Sequence, residues 1–174
     1  EAAQTQVAVD DLYRPYRPKR RTRATIAKEK GLEPLAVLIS LQNSKEPLEK
    51  EAEKYVSEEK GVKNVQEAID GAKDILAENI SDEADYRKRI RDLTFKKGTL
   101  VSAAKDEKAE SVYEMYYDFT EAVSKVAGHR VLALNRGEKE KFLSVKIEAP
   151  EEEILRYLEK KVIRRDNPYT TPVL

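Results

Sequence analysis

An apolar pattern of helical period runs from Val65 through Ala68, Ile69, Ala72, Ile75 and Leu76 to Ile80. Side chains at that spacing fall on one face of an α-helix, and a face so wide has to be covered by other elements. Asn64 followed by Glu67 suits the start of this helix, because both side chains can serve amides that lack an intrahelical acceptor. Comparable patterns fill most of the chain. Thr22 or Thr25 can cap a short helix ending near Gly31. Leu35, Leu38, Ile39 and Leu41 follow Glu33–Pro34, and Asn43–Ser44 closes that helix. Leu48, Ala52, Tyr55 and Val56 follow Pro47 in a helix expected to reach about Lys60. Tyr86, Ile90, Leu93 and Phe95 are expected to face inward on a helix opened by Ser81 and ended by Gly98. Val112, Met115, Tyr116, Phe119 and Val123 share a stripe on a helix expected over Asp106–Glu121. Ile154, Leu155, Leu158 and Val162 give the last apolar face, after Pro150 and three glutamates suited to the positive end of a helix dipole.

Two stretches read differently. Thr99–Ala104 is short and partly β-branched, and Phe142–Ile147 alternates, so both are expected as strands. Val131–Asn135 fits either a short helix or a strand. Only 6 glycines among 174 residues leave little material for tight β-turns. The expected fold is therefore mainly α, a multihelical domain with a minor β element, its short strands near 99–104 and 142–148.

Charged residues make up 38% of the chain, well above the usual quarter, which implies helices with wide solvated faces. There is no cysteine, so disulfides and thiolate zinc sites are excluded and a reducing cytoplasm is the expected location. No apolar run approaches the roughly 18–20 residues that cross a bilayer, and no secretory leader is expected. The chain carries no Walker A sequence, G-x-G-x-x-G, H-E-x-x-H or calcium loop, and no cofactor or enzymatic activity is expected.

Net charge is +0, but its distribution is lopsided. Residues 11–23 read D-L-Y-R-P-Y-R-P-K-R-R-T-R, and no acid stands between Leu12 and Lys28. Arg14, Arg17, Lys19, Arg20, Arg21, Arg23 and Lys28 leave the remainder at about −7. Pro15 is expected to end a helix of which Glu1–Asp10 forms the tail, cut from something larger, and to place Tyr13 and Tyr16 in an extended, polyproline-like run. Arg14, Arg17, Lys19, Arg20, Arg21 and Arg23 are the candidate nucleic-acid-binding residues. Guanidinium groups fork onto phosphates and tyrosines can stack on bases. Neutralising about six phosphates of a duplex would give a log–log salt slope of roughly −5. The same residues equally suit docking between helices or domains, with stems and rings buried and charges paired to acids of the chain. Burial and pairing of Arg17, Arg20 and Arg21 separate the two readings.

Tyr113, Tyr116, Tyr117 and Phe119 could form a stacking platform, but helical spacing with Val112 and Val123 favours core packing, with Tyr113 and Tyr117 at the edge of a groove. His129 is the single histidine. Without a partner constellation it suits capping or hydrogen bonding better than a hydrolase's general base. The abundant acids lie at helix-surface spacing beside Lys or Arg, which reads as solvated faces rather than a metal or catalytic cluster.

Several blocks resemble a known family. They are D-L-Y-R-P-Y-R-P-K-R-R-T-R-A-T-I-A-K-E-K-G-L-E-P-L-A (Asp11–Ala36), Gly61-Val62 through Asp74-Ile75-Leu76-Ala77-Glu78, K-G-T-L-V-S (Lys97–Ser102) and H-R-V-L-A-L-N-R-G-E (His129–Glu138). In order and spacing they resemble the bacterial Tex family, transcription accessory proteins related to a eukaryotic elongation factor. The resemblance covers nearly the whole chain. It implies a larger protein with a helix-turn-helix, an RNase-H-like domain, helix-hairpin-helix elements and an OB-fold that binds nucleic acid. This chain matches the helical section that precedes the RNase-H-like domain. Phe95 stands where the family often has Trp, and Gly128 where it often has Ser, which touches packing or capping only.

The expected organisation is then a helix end and basic strap over residues 1–23, a multihelical domain over 24–164, and a linker to a further domain over 165–174. The expected function is a helical scaffold of a nucleic-acid-binding transcription accessory protein, with a sequence-independent phosphate-contacting strap or, alternatively, a purely structural docking module. The expected partners are nucleic acid, mostly through other domains, and the transcription machinery, with no membrane.

Overall fold

Thr5 accepts a hydrogen bond from the Ala8 amide and so starts helix α1 (Gln6–Tyr13) in the computed structural model, which describes residues 4–174. Residues 1–3 of the expected helix tail lie outside the described residues. Pro15 ends α1, as a missing donor requires, but the next residues do not extend at once. Arg14–Tyr16 form a 3-10 turn, so Tyr13 and Tyr16 belong to helical backbone, and the extended run begins at Arg17. Thr22 caps helix α2 (Arg23–Glu29) by accepting from the Thr25 amide. Helices α3 (Glu33–Leu41), α4 (Leu48–Glu53) and α5 (Val65–Asp82) follow.

The fold is mainly α with a small antiparallel sheet. It divides into two compact units, one up to Arg87 plus Arg156–Leu174, the other Lys88–Leu155.

In the first unit the apolar face of α5 is the floor of the core. Leu32, Leu35, Ile39, Val62, Ala68, Ala72 and Ile75 are at most 1% exposed. Burial of each Leu or Ile side chain contributes about 1.5–3 kcal/mol. Asn64 Oδ1 accepts from the Glu67 amide at 2.9 Å, and the Glu67 carboxylate accepts from the Lys63 amide at 2.9 Å, so the start of α5 is held reciprocally. Gly71 lets Leu32 close over the helix: a Cβ there would lie 2.3 Å from Leu32 Cδ1 and 3.3 Å from Ala27 Cβ. Helix α4 stops at Glu53, not near Lys60. The segment behind it folds into a turn held by a Ser57–Val62 bridge, with Gly61 at φ +71°. Leu41 is exposed, because α3 ends one residue later at Gln42 in the left-handed region.

Gln42 ties the end of helix α8 (Glu151–Val162) to this unit. Its amide nitrogen donates to the Val162 carbonyl at 2.6 Å, and its oxygen accepts from the Arg164 and Arg165 amides at 2.8 and 3.0 Å. Asn167 donates to the Ser44 carbonyl and accepts from the Tyr169 and Thr170 amides, and Tyr169, Val173 and Leu174 pack against the core.

In the second unit strand β1 (Thr99–Ala104) lies between β2 (Asp118–Ala122) and β3 (Leu143–Glu148), antiparallel to both, with Val101 opposite Thr120 and Lys146. Helix α6 (Ala84–Lys97) leads into β1, and α7 (Gly128–Lys139) packs on β3. The short apolar run at Val131–Asn135 is thus helical. Its core holds Leu100, Tyr113, Tyr116, Leu134 and Leu143. Gly137 fits against it so closely that a Cβ would meet Leu143 Cγ at 2.9 Å and Tyr113 Cδ1 at 3.1 Å.

The helix expected over Asp106–Glu121 is absent. Residues 114–116 make one 3-10 turn, and Asp118–Ala122 pairs with β1 instead. Val112 and Met115, expected inward, are 85% and 72% exposed. Pairing to β1 outweighs a helical spacing that arose by coincidence. Phe95 and Leu155 also face outward.

Gly71→Ala and Gly137→Ala each trade a helix-propensity gain of about 1 kcal/mol against overpacking of about 1–3 kcal/mol. Because Leu32 and Leu143 are fully enclosed, the clash wins, and urea unfolding of either variant shows a lower midpoint than the parent chain.

Candidate nucleic-acid interface

The strap runs antiparallel to α5, and the two are joined side chain by side chain. Arg23 Nε lies 3.5 Å from Asp74 Oδ1. The Thr22 hydroxyl donates to Glu78 Oε2 at 2.7 Å. Lys19 Nζ pairs with Glu78 Oε1 at 3.2 Å and also with Asp82. Arg14 Nε donates to the other Asp82 oxygen at 2.9 Å. As strap numbers fall from 23 to 14, α5 numbers rise from 74 to 82. Asp74, Glu78 and Asp82 recur every four residues, so they form one row along the flank of α5 beside its apolar face. Beyond the row the polarity reverses: Arg87 of α6 donates to the buried Asp11 of α1 at 2.8 Å.

The four-residue spacing of this row is present in the sequence, where the abundant acids read as solvated faces. What could not be seen was that the strap would lie over them.

The strap's cations are not treated alike. Arg14 and Lys19 are committed to Asp82, whose side chain is only 11% exposed. Arg21 pairs with Glu29 at 2.8 Å on the open surface, and Arg23 is 87% exposed despite its neighbour Asp74. Arg17 and Arg20 are exposed and have no carboxylate partner among the described residues. A groove of about 680 Å³ lies along the strap, lined by Arg14, Arg17, Lys19, Arg20 and Arg23 above the acidic row. A second hollow of about 410 Å³ opens on the other side, shared by Arg17 and Lys19.

The protonation states follow from these contacts. Burial pulls the Lys19 ammonium down, but its bonds to Asp82 and Glu78 outweigh that and raise its pKa above 10.5. The Thr22 hydroxyl, opposed by burial and then helped by Lys19, holds Glu78 below 4.5. Burial would raise Asp82, yet Lys19 and Arg14 bring it below 3.8.

Other candidates go elsewhere. Tyr113 and Tyr116 are buried, and Tyr117 is half-buried and donates to the Ala109 carbonyl, so the aromatic group is core, with Tyr113 inside rather than at a groove edge. His129 is exposed in the first turn of α7. Among the described residues no group of His, Cys, Asp and Glu is placed to hold a metal ion, and no helix is long and apolar enough to cross a membrane.

Residues 42–167 match the family model of the Tex central region-like domain. The chain belongs to the Tex family. Among its relatives is the uncharacterized protein YdcI of Bacillus subtilis, 52% identical over 169 residues, which cover 95% of this chain and 24% of that protein. The protein tex of Bordetella pertussis is 38% identical over 83% of the chain and 18% of its own length. The transcriptional accessory protein Tex of Neisseria gonorrhoeae is 36% identical over 83% of the chain and 19% of its own length. This chain therefore spans about a fifth to a quarter of the curated relatives it matches. Of these relatives, the one from Neisseria gonorrhoeae is named as a transcriptional accessory protein.

In this Tex central region the acidic row gives a pH signature. Glu78 and Asp82, with depressed native pKa values, stabilise the docked strap above the ordinary carboxylate range, and that contribution is lost as pH falls through the native values. Lys19, with a raised value, contributes below 10.5 and ceases to do so as pH rises through it. Carbon-13 carboxyl titration by NMR is expected to place the midpoint of Asp82 below 3.8 and that of Glu78 below 4.5. Lys19→Ala moves both upward.

Proposed function

We propose that this Tex central region is a helical scaffold whose strap, anchored by Arg14 and Lys19, presents Arg17, Arg20, Arg21 and Arg23 to the phosphates of nucleic acid without regard to sequence. The supporting observation is the split along the strap: the inner cations are held by Asp82 and Glu78, while Arg17 and Arg20 stand exposed with no carboxylate partner among the described residues. Arginines spaced on an extended backbone can each fork onto a phosphate, a contact that carries no sequence information. The name of the Neisseria gonorrhoeae relative fits a role beside the transcription machinery, and the rest of the longer protein would supply most of the affinity.

A docking module that binds no nucleic acid is the second reading, favoured by the ion pairs of Arg14 and Lys19. The two separate on salt dependence. Four outward cations on duplex DNA give a log–log slope of about −3.5, shallower than six would. By fluorescence anisotropy on a short labelled duplex, the chain is expected to bind weakly at low salt with that slope. Arg17→Ala with Arg20→Ala is expected to bring the slope to about −2. Absence of binding at low salt, or a slope that ignores both arginines, would leave the docking reading.

A further inference from the structure

We propose that the Asp74–Glu78–Asp82 row of α5 is an internal competitor for polyanions, holding Arg14 and Lys19 out of a latent, wider phosphate-binding surface. This rests on the reading of the strap as a phosphate-contacting segment and names how that surface is restrained. The row occupies, on the strap's inner side, the place a phosphate backbone would take: carboxylate oxygens at four-residue intervals, each held by a strap cation or by Thr22.

Release of the strap meets little resistance from packing. Every residue from Leu12 to Arg21 is exposed, including Tyr16 at 80%, and hollows open on both sides. What holds this stretch down is charge pairing, which a polyanion can replace and which salt screens more at the exposed Arg23 than at the enclosed Asp82. The anchors at either end stay in place without it: α1 is tied by Asp11 to Arg87, and α2 packs Ala24 and Ala27 into the core. A strap fixed at both ends and bound in between mainly by ion pairs can exchange one row of anions for another. Its six cations, Arg14, Arg17, Lys19, Arg20, Arg21 and Arg23, then act together.

Salt dependence tests this in a way that a simple change of net charge does not imitate. In the 174-residue chain, Asp74→Asn, Glu78→Gln and Asp82→Asn are combined. A charge-matched control carries Glu46→Gln, Glu58→Gln and Glu59→Gln, which are exposed. Both are titrated against the same labelled DNA duplex over a range of salt, with folding checked by circular dichroism. The expected result is a several-fold gain in low-salt affinity beyond the control's, and a slope steeper by about two, from about −3.5 toward −5.5, as Arg14 and Lys19 join the contacts. If the triple variant does not fold, Asp82→Asn alone frees Arg14 and is expected to steepen the slope by about one. A parent chain that binds, beside a row variant with the control's affinity and an unchanged slope, overturns the inference and spares the reading it rests on. Absence of binding by parent and variant alike overturns both.

Discussion

Helix α5 carries two loads on adjoining faces. Its apolar face, through Ala68, Ile69, Ala72 and Ile75, closes the core with α2, α3 and α4, and the flanking Asp74, Glu78 and Asp82 receive the cations of the strap. The rest of the first unit depends on that pairing of faces. The apolar side supplies most of the stability, because each buried Leu or Ile side chain contributes about 1.5–3 kcal/mol. The acidic side supplies direction: it fixes where the basic segment lies, in which sense it runs, and which of its charges remain outward. Gly71 sits where the two roles meet, letting Leu32 approach the helix axis just before the acidic row begins.

The elements differ in how far the sequence reveals them. The Val65–Ile80 pattern and its Asn64–Glu67 start were plain, because a strong period with a matching cap leaves no competing structure. The strands at Thr99–Ala104 and Leu143–Glu148 were also readable from alternation and β-branching. The stretch from Asp106 to Glu121 was not. Its aromatic spacing suits a helix, yet Asp118–Ala122 is drawn into the sheet by β1, a partner remote in sequence. Burial of Tyr113 and Tyr116 then follows from the sheet, not from a helical stripe.

The candidate surface divides in the same way. The six strap cations could be picked out because acids are missing around them. Their different fates could not. Arg14 and Lys19 turn inward because Asp82 is carried to them by α5, sixty-odd residues further along the chain. Arg17 and Arg20 stay outward because the acidic row has no place for them. The row itself had a signal, carboxylates every fourth residue, but that pattern usually marks nothing more than a helix surface in water.

Strap and helix are coupled through charge, and a double-mutant cycle between Lys19→Ala and Asp82→Ala measures that coupling directly. From urea unfolding at low salt the two residues are expected to show a favourable interaction of about 0.5–1.5 kcal/mol that fades in concentrated sodium chloride. Strictly additive effects of the two substitutions at low salt would contradict the account.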